Sequence, residues 1–112
     1  MKFPNSEHAL IPPEKISGYL LSPDHPTGKF KAAFFHSQGY SQVHWKRLEN
    51  DIRSILENDA IYGERTEYGQ KFEVKGKITG PVGKPFLLVT VWIILNGEDV
   101  PRFITAFPGE KK

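Results

Sequence analysis

The sequence predicts an α+β fold in which N-terminal helices pack on one face of a four-stranded antiparallel sheet. Apolar residues recur at helical spacing as far as Asn58-Asp59 and at alternate positions after it. The predicted strands are joined by short connections, which favour pairing between consecutive strands. Helices followed by strands are typical of an α+β domain. The length of 112 residues fits a single domain spanning 1–112 with one core.

Three helices are predicted in the first half of the chain. The first begins at Pro12-Pro13 and ends at Ser22-Pro23, because proline suits a first helical turn better than a later one. The second lies between Gly28 and Gly39, and Gly39 is suited to the left-handed conformation that ends many helices. Ser41 is the predicted cap of the third helix, whose apolar residues recur at helical spacing: Trp45, Leu48, Ile52, Ile55 and Leu56.

Four strands are predicted at residues 60–67, 71–79, 86–95 and 100–107. The residues between them favour turns: Tyr68-Gly69, Gly80-Pro81-Val82-Gly83 and Asn96-Gly97-Glu98-Asp99. An antiparallel meander is the simplest topology that these connections allow.

The last connection sets the predicted faces of the sheet. If residues 96–99 form a four-residue loop, Thr90 lies opposite Thr105 and Trp92 lies opposite Phe103. These four residues then share one open face. The other face carries an aliphatic set suited to packing under helices: Val89, Val91, Ile93, Leu95, Ile104 and Ala106. A one-residue slip would exchange the two sets.

The second strand alternates between apolar residues and lysines, and we expect Lys71 and Lys75 to join the open face. One interpretation is an ordinary solvated sheet face. The other is a platform for a phosphate-bearing ligand, in which lysines supply charge, Thr90 and Thr105 supply hydroxyls and Trp92 stacks.

Lys31 and His25 are the candidates for chemistry in the helical half. A helical projection places Lys31 inside an apolar arc formed by Phe30, Phe34 and Phe35, with Ala32 on the opposite side. Either its stem lies across the rings and its ammonium reaches water, or this face borders a cleft where a cation binds phosphate. His25, in the turn before, is either a hydrogen-bonded loop residue or a general acid or base.

Several classes of site are disfavoured. The chain contains no cysteine, which excludes disulfides and thiolate ligands and fits a reducing compartment, so the cytoplasm is the expected location. It shows no metal-ligand spacing, nucleotide-binding glycine pattern, signal peptide or membrane-spanning run, so we expect no metal, cofactor or membrane association. A net charge of +2 permits a polyanionic partner without requiring one.

Nearly the whole chain resembles an uncharacterised bacterial domain family. The likeness rests on FPNSEHALIPPEKISGYLL, then HPTGKFKAAFF followed by GY and Trp45, then YGQKFEVKGKITGP, TVW and PRFITAFP. Members of that family resemble small toxins or toxin modules, some of them paired with a small antitoxin or immunity protein. The predicted architecture is also similar to that of the ribonucleases that include barnase, EndoU, colicin nucleases and RelE.

The resemblance implies a metal-independent ribonuclease toxin that uses attack of a ribose 2′-hydroxyl on phosphate. It implies His25, Lys31, Thr90 and Thr105 as catalytic residues. The predicted substrate-binding residues are Lys71, Lys75, Trp92 and Arg102. The alternative is a non-enzymatic module that binds protein or RNA. Its predicted protein anchors are Trp45, Trp92 and Phe103, since aromatic residues dominate many interfaces.

Overall fold

The four strands form one antiparallel meander. The computed structural model describes residues 1–109. In it β1 (Ala60–Arg65), β2 (Gly69–Thr79), β3 (Pro85–Leu95) and β4 (Arg102–Pro108) neighbour one another in chain order. The predicted α+β class and the meander are confirmed, and each predicted strand overlaps an observed one over most of its length.

The helices precede the sheet, as predicted. The first, α1, comprises an α-helical turn, Pro13–Lys15, that continues as a π-helical segment, Ile16–Leu20. It is followed by α2 (Lys29–Ser37) and α3 (Trp45–Ser54). Gly39 has the predicted left-handed conformation, with a φ of 97°. Ser41 does not cap α3 directly, because its hydroxyl accepts the backbone N–H of His44 in the turn that leads into the helix.

The core lies between the helices and one face of the sheet. Each helix contributes fully buried side chains, among them Ile16 from α1, Phe35 from α2 and Leu48 from α3. The sheet contributes a facing layer of buried residues: Phe72, Val74, Leu88, Trp92, Phe103 and Ala106.

The predicted assignment of the sheet faces is wrong for β3. Trp92 lies opposite Phe72, and Thr90 lies opposite Val74. Both Trp92 and Thr90 are fully buried beneath the helices. Their polar groups are satisfied there, because the Thr90 hydroxyl donates to the Val74 carbonyl at 2.7 Å and accepts the Trp92 indole N–H at 2.8 Å. The aliphatic row of β3 therefore lies on the side away from the helices.

A β-bulge shifts the predicted register between β3 and β4. Trp92 lies opposite Phe103 as predicted, but Val91 lies opposite Thr105, so Ile104 is an additional residue in β4. Thr90 consequently lies opposite Ala106 and not opposite Thr105. The extra residue allows Phe103 and Ala106, three positions apart, to be buried together, which a regular strand does not permit.

Candidate functional site

Three of the predicted catalytic residues meet at the sheet edge, where α1 and α2 pass β4. The Lys31 ammonium donates to the Thr105 hydroxyl at 2.8 Å and to the Tyr19 hydroxyl at 2.7 Å. These two hydroxyls are 3.1 Å apart. The ring of His25 packs edge-on against Tyr19, with 4.9 Å between ring centroids. We call Tyr19, His25, Lys31 and Thr105 the edge cluster.

The close approach of α2 to α1 brings Lys31 to Tyr19. Gly28 precedes α2 at the point of contact, and a Cβ at that position would collide with the backbone carbonyl oxygen of Tyr19. Lys31 follows Gly28 by three residues, nearly one turn of α2, and its side chain therefore reaches the Tyr19 hydroxyl. In β4 the bulged residue, Ile104, directly precedes Thr105, and β-bulges commonly redirect neighbouring side chains.

His25 is held by the turn that leads into α2. Its Nδ1 accepts the backbone N–H groups of Thr27 at 3.1 Å and of Gly28 at 2.9 Å. An imidazole that accepts through Nδ1 carries its proton on Nε2 in the neutral form. Nε2 is therefore the ring nitrogen left to exchange a proton with a bound molecule.

The edge cluster carries a positive charge, on Lys31, that forms no ion pair with a carboxylate of residues 1–109. Lys15 adds a second ammonium, which donates to the Ile104 carbonyl and lies 5.8 Å from the centroid of the Tyr19 ring. Within residues 1–109 neither Lys15 nor Lys31 forms an ion pair. Lys31 is half-buried, and a cation in that setting interacts with an anion more strongly than a fully solvated one. The arrangement therefore suits an anionic ligand such as a phosphate.

An open depression of about 510 Å³ adjoins this charge. Its lining includes Lys15, Tyr19, His25 and Thr105, together with one acidic residue, Glu14. The volume falls in the range of roughly 300–1,000 Å³ that is usual for small-molecule sites. A ligand in the depression would contact Tyr19 and Thr105, the two hydroxyls that Lys31 binds.

The phenol of Tyr19 is more acidic than an ordinary tyrosine. Partial burial alone would raise its pKa. The hydrogen bonds with Lys31 and Thr105, together with the positive charges of Lys31 and Lys15, outweigh burial and lower the pKa of Tyr19 below the usual tyrosine value. Tyr19 is therefore a second group, beside His25, that is suited to proton transfer.

We expect Tyr19→Phe to remove a component with a lowered pKa from the tyrosinate absorbance titration, and Lys31→Met to move that component to higher pH. Because the folded-state pKa lies below the unfolded one, the unfolded chain holds more protons between the two values. The stability of the wild type relative to Tyr19→Phe should therefore rise with pH in that window. An unchanged titration in Lys31→Met would contradict the assigned cause.

The other predicted site residues lie elsewhere. Thr90, predicted as a catalytic residue, and Trp92, predicted to bind substrate, are both buried in the core and inaccessible to substrate. Lys71 and Lys75 lie on β2, two strands away from β4, on the face that the helices leave open. Arg102 forms a two-pronged ion pair with Glu98, at 3.0 and 3.2 Å, which satisfies much of its charge. The structure does not bring these residues into the edge cluster.

The predicted protein anchors are also largely unavailable. Trp92 and Phe103 are buried, and Trp45 is half-buried and packs against the core. The sequence reasoning missed Tyr19 and Lys15, because the first helix was interpreted only through its apolar residues. The sequence does contain a signal for both residues, because Lys15 and Tyr19 are four positions apart and residues at that spacing share one face of a helix.

Residues 1–109 contain no group of three or more His, Cys, Asp or Glu side chains placed to hold a metal ion. No helix in the same range is both long enough and apolar enough to cross a membrane.

Comparisons with known proteins identify the fold and the family. A family model described as a domain of unknown function (DUF6883) matches residues 2–110. A solved structure with the same fold is the contact-dependent growth inhibition toxin–immunity protein complex from Klebsiella pneumoniae 342. A chain of that complex aligns with a TM-score of 0.70 at 15% identity, over 96% of this chain and 98% of that chain. The search of curated proteins gives no match.

Proposed function

We propose that this chain, which belongs to the DUF6883 family, is a metal-independent endoribonuclease that acts as a toxin. The observation that carries the proposal is the Lys31 ammonium, held by two hydroxyls and unpaired with any carboxylate of residues 1–109. A histidine and an acidified tyrosine stand beside it. These groups match the needs of phosphate binding and proton transfer.

In the proposed reaction the ribose 2′-hydroxyl attacks the adjacent phosphorus. The new bond joins phosphorus to the 2′-oxygen, the bond to the 5′-oxygen breaks, and the products are a 2′,3′-cyclic phosphate and a 5′-hydroxyl. Lys31 stabilises the charge that develops on the phosphate, and Thr105 orients it. His25 and Tyr19 divide the two proton transfers, one from the 2′-hydroxyl and one to the 5′-oxygen.

The toxin role draws support from the shared fold. The solved structure described above is a complex of a growth inhibition toxin with an immunity protein. Our proposal extends the toxin role to this chain because its edge cluster supplies the chemistry that such a role needs. A second candidate, a non-enzymatic binding module, is favoured by the face of the sheet that the helices leave open, where lysines of β2 lie beside aliphatic residues of β3.

The test is incubation of the purified, folded chain with cellular RNA in the presence of EDTA, over a range of pH. We expect cleavage by the wild type and a loss of about 10²–10⁴-fold in rate for His25→Ala, as is usual when a general acid or base is removed. His44→Ala is the matched control, because His44 is exposed and lies outside the edge cluster. RNA that stays intact with the wild type at every pH would contradict the proposal.

A further inference from the structure

The face of the sheet that the helices leave open combines an apolar row with a basic row. The apolar row runs along β3 through Leu87, Val89, Val91 and Ile93, and Phe107 of β4 lies beside Val89. The basic row runs along β2 and comprises Lys71, Lys75 and Lys77. We call these eight residues the outer face.

The apolar row is only partly covered by the rest of the protein. Leu87, Val91, Ile93 and Phe107 are each half-buried, with part of the side chain in contact with water, whereas Val89 between them is buried. Between Val89, Phe107 and Lys75 the surface forms a depression of about 460 Å³, which is large enough to receive an apolar side chain. An apolar patch that is partly exposed and bordered by polar residues is typical of a surface that binds another protein.

The basic row gives the outer face a defined charge. Three lysines alternate along β2 with a single carboxylate, Glu73. Among residues 1–109 none of these four side chains forms an ion pair. The row is therefore free to pair with acidic groups of a partner, and it lies parallel to the apolar row one strand away.

We propose that the outer face docks an amphipathic helix of a partner protein, with an apolar stripe over β3 and aspartate or glutamate over β2. Leu87 and Ile93 are six positions apart, about 20 Å along a strand. A helix of about 13 residues covers that distance. A helix packed on this face would complete a second layer over a sheet whose other face already carries one.

The residues of the outer face favour this occupant over RNA and over a second copy of the chain. Of the eight residues only Phe107 offers a base an aromatic surface on which to stack, and Glu73 would repel phosphates within the basic row. A second copy would bring one lysine-bearing face against another, which is electrostatically unfavourable. An amphipathic acidic helix can cover the apolar row of β3 with its apolar stripe and pair its carboxylates with the lysines of β2.

The test uses a synthetic helical peptide of about 14 residues that carries leucines along one stripe and glutamates along its flank. A matched peptide carries lysines in place of the glutamates. Each is titrated into the isotopically labelled full chain, and amide chemical shifts are followed by NMR. We expect the acidic peptide to shift β2 and β3 resonances at the outer face. The double variant Lys71→Glu/Lys75→Glu should raise its Kd about tenfold.

The control variant Lys2→Glu/Lys46→Glu makes the same change in net charge at exposed positions outside the outer face. It should change Kd by less than about twofold, since distant exposed charges are screened. No acidic-peptide binding at millimolar concentration, or equal binding of the lysine peptide, would overturn the proposal. The proposal would also be overturned if a single-stranded RNA oligonucleotide, and not the acidic peptide, shifted the resonances of the outer face. Self-association of the chain through the outer face would overturn it as well. The measurement concerns binding on β2 and β3, so its outcome is independent of RNA cleavage.

Discussion

Lys31→Met will lower the rate of RNA cleavage by about 10²–10³-fold, the usual loss when a preorganised charge-stabilising donor is removed. Methionine keeps an unbranched apolar stem and removes the ammonium. The hydroxyls of Tyr19 and Thr105 remain 3.1 Å apart and can satisfy one another, so we expect the fold to persist. The loss should appear in kcat, because the interaction strengthens as negative charge develops on the phosphate.

Lys29→Met is the matched control for this prediction. Lys29 lies on the same helix, is exposed and has no polar side-chain partner within residues 1–109. Single-turnover cleavage and circular dichroism of both variants separate a chemical effect from a folding effect. If Lys31→Met kept wild-type activity, or Lys29→Met lost as much, the ammonium in the edge cluster would not be the group that acts on phosphate.

Trp92→Ala will lower the free energy of unfolding by about 3–5 kcal/mol, as expected when a buried aromatic side chain is truncated. Trp92 is fully buried and packs against the rings of Phe3 and Phe103, with 5.9 and 5.2 Å between centroids. The substitution leaves a void and removes the indole N–H that the Thr90 hydroxyl accepts. Urea unfolding monitored by circular dichroism measures the change.

Phe30→Ala provides the comparison for Trp92→Ala. Phe30 is 75% exposed, so its truncation should change the free energy of unfolding by no more than about 0.5 kcal/mol. If Trp92→Ala were as stable as Phe30→Ala and RNA cleavage were abolished, the burial of Trp92 would be contradicted, and Trp92 would instead be a surface residue that contacts substrate.

The parts of the fold that the sequence predicted correctly are those where one face of an element is polar. In β2, lysines alternate with Phe72, Val74 and Ile78, and those three residues are buried as expected. In β3 both faces are largely apolar, so alternation does not identify the buried face. The predicted faces depend on the loop before β4, and the sequence pattern does not show that Thr90 and Trp92 satisfy one another's polar groups in the core. Pairing of Trp92 with Phe72 supplies the missing constraint.

The helical projection of α2 failed for a related reason. The projection places Phe30 in the buried arc and Ala32 opposite it, yet Phe30 is exposed whereas Ala32 is buried. The approach of α2 to α1 at Gly28 requires small groups, which favours alanine over phenylalanine on the inner side. Lys31, the residue after Phe30, lies at the border between the exposed and the buried side of α2. Its ammonium binds the hydroxyls of Tyr19 and Thr105 and no carboxylate of residues 1–109. The sequence identified this lysine as unusual, but its partners Tyr19 and Thr105 come from separate elements that only the tertiary structure brings together.

The most direct test of metal-independent RNA cleavage is to treat one RNA oligonucleotide and its fully 2′-O-methylated counterpart with the chain in EDTA and to analyse the product ends by mass spectrometry. We expect the unmodified RNA to give 2′,3′-cyclic phosphate and 5′-hydroxyl ends, and the methylated RNA to remain intact because it has no 2′-hydroxyl to attack phosphorus. Cleavage of both oligonucleotides, or of neither, would contradict the proposed chemistry.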